Sequence, residues 1–155
     1  MATGDSHVDL SLDPDADTHP EHLLPVSLLL VGVGGFIGTL ARYGVGRALP
    51  TASRWPVGTF AVNMAGAFVL GLVLEALARR GPDVATMRRW RLVAGVGFCG
   101  AFTTYSTLAV EVSALSRASQ HALAAIYGIV TVLVGFIATA AGIGLAAARR
   151  TAVSS

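Results

Sequence analysis

Uncharged stretches as long as a membrane span separate the charged residues of this chain. They cover residues 22–41 (20 residues), 55–74 (20), 92–110 (19) and 118–148 (31). An α-helix needs about 20 predominantly apolar residues to cross the hydrocarbon core of a bilayer. The pattern therefore predicts an all-α integral membrane protein, multi-pass in the cell (inner or plasma) membrane. We place its four transmembrane helices at residues 23–41, 57–77, 92–110 and 121–147.

The two ends of the chain differ from the spans. Residues 1–22 hold six of the nine acids, no Lys or Arg, and few apolar residues. Such a composition cannot bury enough surface to fold, so we expect a disordered acidic N-terminal tail. A secretory signal would begin with a basic region, so we expect the first span to be retained. The channel domain is then residues 23–148, and residues 149–155 are a short C-terminal tail.

The sequence offers few arrangements of His and Cys residues that could bind a metal ion. His19 and His22 in the tail have a spacing that could hold a metal ion, but no thiolate is near and no fold fixes their geometry. Cys99 is the only cysteine, which excludes an internal disulfide and a cysteine-cluster metal site. We interpret Cys99 as a packing residue.

The charge distribution indicates which partners the chain meets. Only 13% of the residues are charged, against roughly 25% in soluble domains. The formal net charge of the whole chain is +2. From residue 23 onward, 11 arginines and three acids give a net charge of +8. These arginines lie at the ends of the spans, where lipid headgroups and an anionic solute are the expected partners and nucleic acid is not.

Loop arginines also bear on orientation. The N-terminal tail, the second loop and the C-terminus carry 0, 5 and 2 arginines, which gives 7, whereas the first and third loops carry 3 and 1, which gives 4. This excess favours both termini on the cytoplasmic side. A subunit inserting in both orientations would show near equality, and one member of an opposed pair could tolerate a bias. The observed ratio of 7 to 4 lies between near equality and a strong bias, so it decides for neither mode of insertion.

The three glycines of the third span fall in the run GVGFCGAFTTYST at residues 95–107. Their spacing matches a dinucleotide-binding loop, which requires a preceding strand in a βαβ unit and is excluded in a membrane span. Small residues instead allow helices to approach closely in lipid. We apply this interpretation to Gly32, Gly34, Gly35, Gly38, Gly66 and Gly71.

Hydroxyl residues follow those glycines. Residues 103–107 form the run TTYST, which competes with helical backbone hydrogen bonds and predicts a break in the third helix. Open backbone inside a membrane is tolerated only where it is buried in protein or lines an aqueous cavity, and it frees carbonyl and N–H groups for ions.

Polar residues also occur in the second and fourth spans. Asn63 in the second span either bonds a neighbouring helix or presents its NH₂ group to an anion. Tyr127 and Thr131 share one face of the fourth span, as a helix contact or as part of a pathway.

Three blocks of the sequence carry a family resemblance. GGFIGTLARY (34–43), GTFAVNMAGAFVLG (58–71) and GFCGAFTTYSTLAVE (97–111) resemble the signature blocks of the Fluc/CrcB fluoride channels, in order and at matching separations. The resemblance covers all four spans. It implies an antiparallel (dual-topology) dimer of four-helix subunits with two fluoride pores.

The resemblance also implies functional residues. A structural sodium ion at the dyad would be held by the backbone carbonyls of Gly100 and Thr103. Arg42 and Glu111 correspond to charged residues near the pore entrance. The implied pore residues, together with the candidate donors of the hydroxyl run, are Asn63, Thr104, Tyr105, Ser106, Thr107, Leu108, Tyr127 and Thr131.

Two positions depart from the family pattern. The family places phenylalanines where this chain has Tyr105 and Leu108. Tyr105 keeps an aromatic edge that can face an anion, whereas Leu108 has no quadrupole. Either a homodimer conducts with one aromatic position altered in each pore, or this chain pairs with a paralogous subunit in a heterodimer.

The expected activity is passive export of cytoplasmic fluoride, with no catalytic residue. A proton-coupled exporter of the small multidrug-resistance type is also a four-span antiparallel dimer. It would need a carboxylate deep in its first span, and residues 23–41 contain none. A non-conducting scaffold would leave Asn63 and the hydroxyl run without a role.

Overall fold

A computed structural model describes residues 25–49, 55–79 and 85–151 of the protein, with side chains as far as Ala148. The predicted acidic tail, His19 and His22 included, lies outside the described residues, as does the end of the C-terminal tail. The described residues are helical apart from short turns, and they contain no strand. Their elements are α1 Pro25–Ala48, α2 Val57–Ala78, α3 Ala85–Trp90, a π-helical segment Arg91–Cys99, α4 Gly100–Phe102, α5 Tyr105–Arg117 and α6 His121–Thr151.

Four helical stretches are long and apolar enough to cross a membrane, as the sequence predicted. They are Pro25–Ala48, Val57–Ala78, Ala85–Arg117 and His121–Ala148. The chain is thus a multi-pass membrane protein, and an apolar solvent accounts for its many exposed large hydrophobic side chains.

Several helices extend beyond the predicted ends of the spans, because they continue past the first charged residue. Helix α1 runs on through Arg42 to Ala48, and the third stretch begins at Ala85, seven residues before its predicted start at residue 92. A long arginine side chain reaches the headgroup region while its backbone remains helical. Within the extended part of α1, the Arg47 guanidinium lies 5.9 Å from the centre of the Tyr43 ring one turn earlier.

The third stretch changes its backbone geometry along its length. The π-helical segment Arg91–Cys99 passes into the single turn of α4, which ends at Phe102. Thr103 (φ −75°, ψ 161°) and Thr104 (φ −149°, ψ 116°) are extended, and α5 begins at Tyr105. These two residues separate the two helical parts of the stretch.

Glycines determine how α1 meets the third stretch. A Cβ added at Gly34 would overlap the carbonyl oxygen of Val93, and one at Gly38 would overlap that of Phe98. The backbones therefore touch, and dispersion contacts of this kind hold helices together where lipid removes the hydrophobic drive. Close packing is confirmed for Gly34 and Gly38. At Gly32 a Cβ would meet no atom within 4 Å, so Gly32 packs against no other helix of the described chain.

Helix α2 packs most extensively on α6 by the same means. A Cβ at Gly71 would overlap the Thr139 carbonyl oxygen, and one at Gly142 would overlap that of Phe68. Gly66 faces the side chain of Thr103 and leaves no space for a methyl group. Cys99 is 2% exposed, which agrees with its predicted role in packing. Backbone contact thus fixes the separation between α2 and α6, and the extended residue Thr103 packs against Gly66 of α2.

We predict that Gly142→Ala destabilises the protein, because its methyl group must push α6 away from α2. Overpacking of this kind costs about 1–3 kcal/mol. The matched control is Gly144→Ala on the same helix, where a Cβ meets nothing within 4 Å. Unfolding of both variants in detergent micelles measures the difference. Equal stability of the two variants would contradict the packing described above.

Candidate ion pathway

The two extended residues in the middle of the third stretch are held by a side chain from α2. Asn63 Nδ2 donates to the Thr104 carbonyl oxygen (3.1 Å), and the Thr104 N–H donates to Asn63 Oδ1 (2.8 Å). The carboxamide thus pairs with both backbone groups of one residue, as a neighbouring peptide group would. An unpaired backbone group in this place would be costly, so Asn63 stabilises the extended conformation of Thr104.

Thr104 also begins α5 as its N-cap. Its Oγ1 accepts from the backbone N–H of Thr107 (3.1 Å) and donates to Thr107 Oγ1 (2.9 Å), and it lies 3.2 Å from Ser106 Oγ. Threonine is a favoured N-cap because its oxygen satisfies an N–H that has no helical partner. The predicted hydroxyl run therefore ends one helix segment and begins the next.

Two backbone carbonyls lose their helical donors in this arrangement. In an unbroken α-helix the carbonyls of Gly100 and Thr103 would accept from the N–H groups of Thr104 and Thr107. Those N–H groups donate instead to Asn63 Oδ1 and Thr104 Oγ1. A Cβ at Gly100 would meet nothing within 4 Å, so this residue faces open space. The two carbonyls have the hard-oxygen chemistry that suits a cation such as sodium.

A groove lies beside the extended residues, between α2, α5 and α6, with a volume of about 350 Å³. We call it the Asn63 groove. It brings together six of the predicted site residues, Asn63, Thr103, Thr104, Tyr105, Leu108 and Thr131. Its other lining residues are Met64, Ala67, Val132, Gly135, Phe136 and Thr139.

Sequence reasoning missed Thr139, which lines this groove. Tyr127, Thr131 and Thr139 lie four and eight residues apart on α6, so one helix face carries them all. Extending the predicted Tyr127–Thr131 pair by two turns would have found Thr139. Phe136 also lines the groove, but one phenylalanine among many apolar residues of a span gives no signal of its own.

The threonine hydroxyl groups of the groove donate within the protein. Thr131 Oγ1 donates to the Tyr127 carbonyl oxygen (2.7 Å) and Thr139 Oγ1 to that of Gly135 (3.0 Å), each one turn back along α6. Thr103 Oγ1 donates to the Cys99 carbonyl oxygen (2.8 Å). The protons of these three hydroxyl groups are thus used in hydrogen bonds to backbone carbonyls.

A second, smaller cavity of about 190 Å³ lies next to the groove, and we call it the Arg42 cavity. Its lining includes Arg42, Thr59, Thr107 and Glu111, together with Thr104. Thr104 therefore borders both spaces, with the Arg42 cavity on one side and the Asn63 groove on the other. Two of the predicted pore residues, Thr104 and Thr107, thus line the cavity that contains the predicted entrance residues Arg42 and Glu111.

Glu111 is fixed by two hydroxyl donors from different helices. Thr59 Oγ1 donates to its Oε1 (2.7 Å), and Tyr127 Oη donates to its Oε2 (2.7 Å). Tyr127 is completely buried, and Trp55 packs edge-on against its ring with centroids 5.1 Å apart. Glu111 thereby links α2, α5 and α6 beside the Arg42 cavity.

The remaining predicted residues differ in exposure. Tyr105 borders the Asn63 groove and is 83% exposed in the single chain, whereas Leu108 is 9% exposed. Ser106 and Thr107 are exposed at the start of α5. Most of the predicted site residues therefore line the Asn63 groove or the Arg42 cavity. Tyr105 and Gly100 are exposed in the single chain.

We predict that Asn63→Leu lowers the free energy of unfolding, since it removes both partners of Thr104. Each buried backbone group left without a partner costs about 1–3 kcal/mol. Met64→Leu, at the next position of the same groove, is the control and conserves volume. Chemical unfolding in detergent compares the two. A loss for Asn63→Leu no greater than that for Met64→Leu would contradict the role assigned to the amide.

Comparisons with known proteins identify the family of this chain. Residues 29–143 match the family model described as "CrcB-like protein, Camphor Resistance (CrcB)". The chain is 48% identical over 129 residues to "Fluoride-specific ion channel FluC 2" of Leifsonia xyli subsp. xyli, covering 83% of this chain and 89% of that protein.

Two further relatives are named "Fluoride-specific ion channel FluC". The protein of Phenylobacterium zucineum is 41% identical over 122 residues, covering 77% of this chain and 94% of that protein. The protein of Caulobacter vibrioides is 38% identical over 118 residues, covering 75% and 91%. The matched region contains all the residues of the groove and of the Arg42 cavity. The chain belongs to the CrcB family.

Proposed function

We propose that this protein is a fluoride-selective passive channel that exports cytoplasmic fluoride. The relatives that match most of its length are named fluoride-specific ion channels. The observation that carries the proposal is the meeting of the Arg42 cavity and the Asn63 groove at Thr104, inside a membrane span. An ion that enters beside Arg42 would pass Thr104 and continue along the groove.

Selectivity follows from the cost of dehydrating a small anion. Fluoride is strongly hydrated, so a narrow path must supply hydrogen-bond donors or positive ring edges in place of water. Asn63 Nδ2 uses one of its two hydrogens on Thr104 and keeps the second for the ion. Tyr105 adds a hydroxyl and an aromatic edge. Larger halides fit such a row poorly.

A structural sodium ion is part of the proposal. The carbonyls of Gly100 and Thr103 would hold it, because the N–H groups that an unbroken helix would aim at them are bonded to side chains. When bound, the cation supplies positive charge beside the anion path. Asn63 contributes indirectly, since it keeps Thr104 extended and so keeps the Gly100 carbonyl available.

We also propose an antiparallel dimer. In one chain the Asn63 groove has an open side, Tyr105 is 83% exposed, and Gly100 faces empty space. An inverted second copy would cover these residues and close the path. A heterodimer with a paralogous subunit is the second candidate, because Leu108 replaces an aromatic residue of the family pattern and the loop arginines are divided 7 to 4.

The physiological benefit follows from acid chemistry. Hydrogen fluoride crosses a bilayer as a neutral molecule and dissociates in the less acidic cytoplasm, where the anion is trapped. A passive fluoride path lets the anion leave down its electrochemical gradient. Such export relieves fluoride toxicity without nucleotide hydrolysis or a covalent step.

Reconstitution of this chain alone tests both the activity and the dimer. Liposomes loaded with fluoride or chloride and containing the purified protein should release fluoride rapidly and retain chloride, because only the small anion fits the path. Ion-selective electrodes measure both ions side by side. If neither ion is released, a paralogous subunit is coexpressed and the assay is repeated. Fluoride flux restored by the paralogue would favour the heterodimer, and continued absence of flux would contradict the channel. Equal release of both ions would contradict selectivity.

We predict that Asn63→Asp abolishes fluoride efflux. The aspartate can still accept from the Thr104 N–H, but it has no hydrogen for the ion and adds a negative charge to the groove. Electrostatic exclusion of the anion should lower the rate by at least about a hundredfold. The same liposome assay measures it, and elution of the variant at the wild-type volume in size-exclusion chromatography controls for folding. Persistent fluoride-selective flux would remove Asn63 from the path.

A further inference from the structure

The Asn63 groove contains few positive groups that can face an anion. All four of its threonines donate their hydroxyl protons elsewhere in the chain: Thr103 to Cys99, Thr104 to Thr107, Thr131 to Tyr127 and Thr139 to Gly135. Asn63 retains one N–H, and Tyr105 contributes a hydroxyl and a ring edge at the end of the groove where α5 begins. The two threonines of the wall formed by α6 therefore use their hydroxyl protons on carbonyls of the same helix.

Phe136 is the one residue of that wall with a positive edge. It lines the groove from α6 and is 71% exposed in the single chain. The other α6 residues of the lining are Thr131, Val132, Gly135 and Thr139. An aromatic ring carries partial positive charge on its rim, whereas an aliphatic side chain offers an anion nothing.

The neighbours of Phe136 leave its ring accessible. Gly135 has no side chain, and a Cβ there would meet only Met64 Cε, at 3.6 Å. Leu108, on the α5 side of the same groove, is buried and aliphatic. Between Asn63 and the far end of the groove, α6 thus presents a single group of suitable polarity.

From this placement we infer that Phe136 is a specificity-determining residue, whose ring edge contacts fluoride as the ion moves along the α6 wall of the Asn63 groove. The inference rests on the proposed function. The anion then has a contact on α6 in addition to those with Asn63 and Tyr105. The threonine hydroxyls of the groove stay bonded within the protein and do not donate to the ion.

Fluoride efflux from liposomes tests the assignment with three variants. Phe136→Leu removes the ring at similar size and should slow fluoride release by roughly three- to tenfold, the rate equivalent of one aromatic contact. Phe136→Tyr retains a ring edge and should conduct within about twofold of the wild type. Phe36→Leu replaces a ring on α1 that is 66% exposed and lies outside the groove, and its rate should be unchanged.

The outcomes separate this inference from the proposed function. A slow Phe136→Leu beside a fast Phe136→Tyr and a fast Phe36→Leu supports it. Equal rates of wild type and Phe136→Leu would overturn it while leaving the channel in place, and so would equal slowing of the leucine and tyrosine variants. Absence of fluoride flux through the wild type, alone or with a paralogue, would overturn the proposed function and this inference together. Thermal unfolding of each variant in detergent shows whether a slow rate comes from a damaged fold.

Discussion

The pair of hydrogen bonds between the Asn63 carboxamide and the backbone of Thr104 is the constraint on which the rest of the site depends. Extended backbone inside a bilayer needs partners for its N–H and carbonyl groups, and Asn63 supplies both from α2. With Thr104 held this way, its hydroxyl is placed to cap α5, and the Gly100 carbonyl is relieved of its helical donor. One side chain thereby maintains the interruption that borders the groove and the Arg42 cavity.

The position of Asn63 depends in turn on packing between backbones. Helix α2 lies against α6 through Gly71 and Gly142, and α1 lies against the third stretch through Gly34 and Gly38. In lipid no hydrophobic force drives helices together, so close backbone contact must supply the attraction and set the spacing. Glu111 adds a polar connection, because its two carboxylate oxygens accept from Thr59 on α2 and Tyr127 on α6.

The two spaces differ in the chemistry they offer an ion. The Arg42 cavity has a guanidinium and a carboxylate at its border, which suits an entrance where an ion keeps part of its water. The Asn63 groove has amide, aromatic and aliphatic walls, and its threonine protons are directed into the protein. In the proposed channel a fluoride ion moves from the first environment to the second, where a few groups replace its hydration shell. The open side of the groove is where a second subunit would complete the wall.

The sequence by itself determined the membrane class, the four spans and the family, because bilayer length and the three blocks are local properties of the chain. It also indicated Asn63 and the hydroxyl run, since polar groups in an apolar span stand out. Only the tertiary structure decided that Asn63 bonds Thr104, that Gly34 and Gly38 pack against the third stretch, and that Thr139 and Phe136 line the groove. These facts depend on helix rotation and on contacts between residues 41 positions apart, such as Asn63 and Thr104, which no local pattern encodes. A charged residue does not by itself end a helix, so the structure also decided that α1 continues through Arg42 to Ala48.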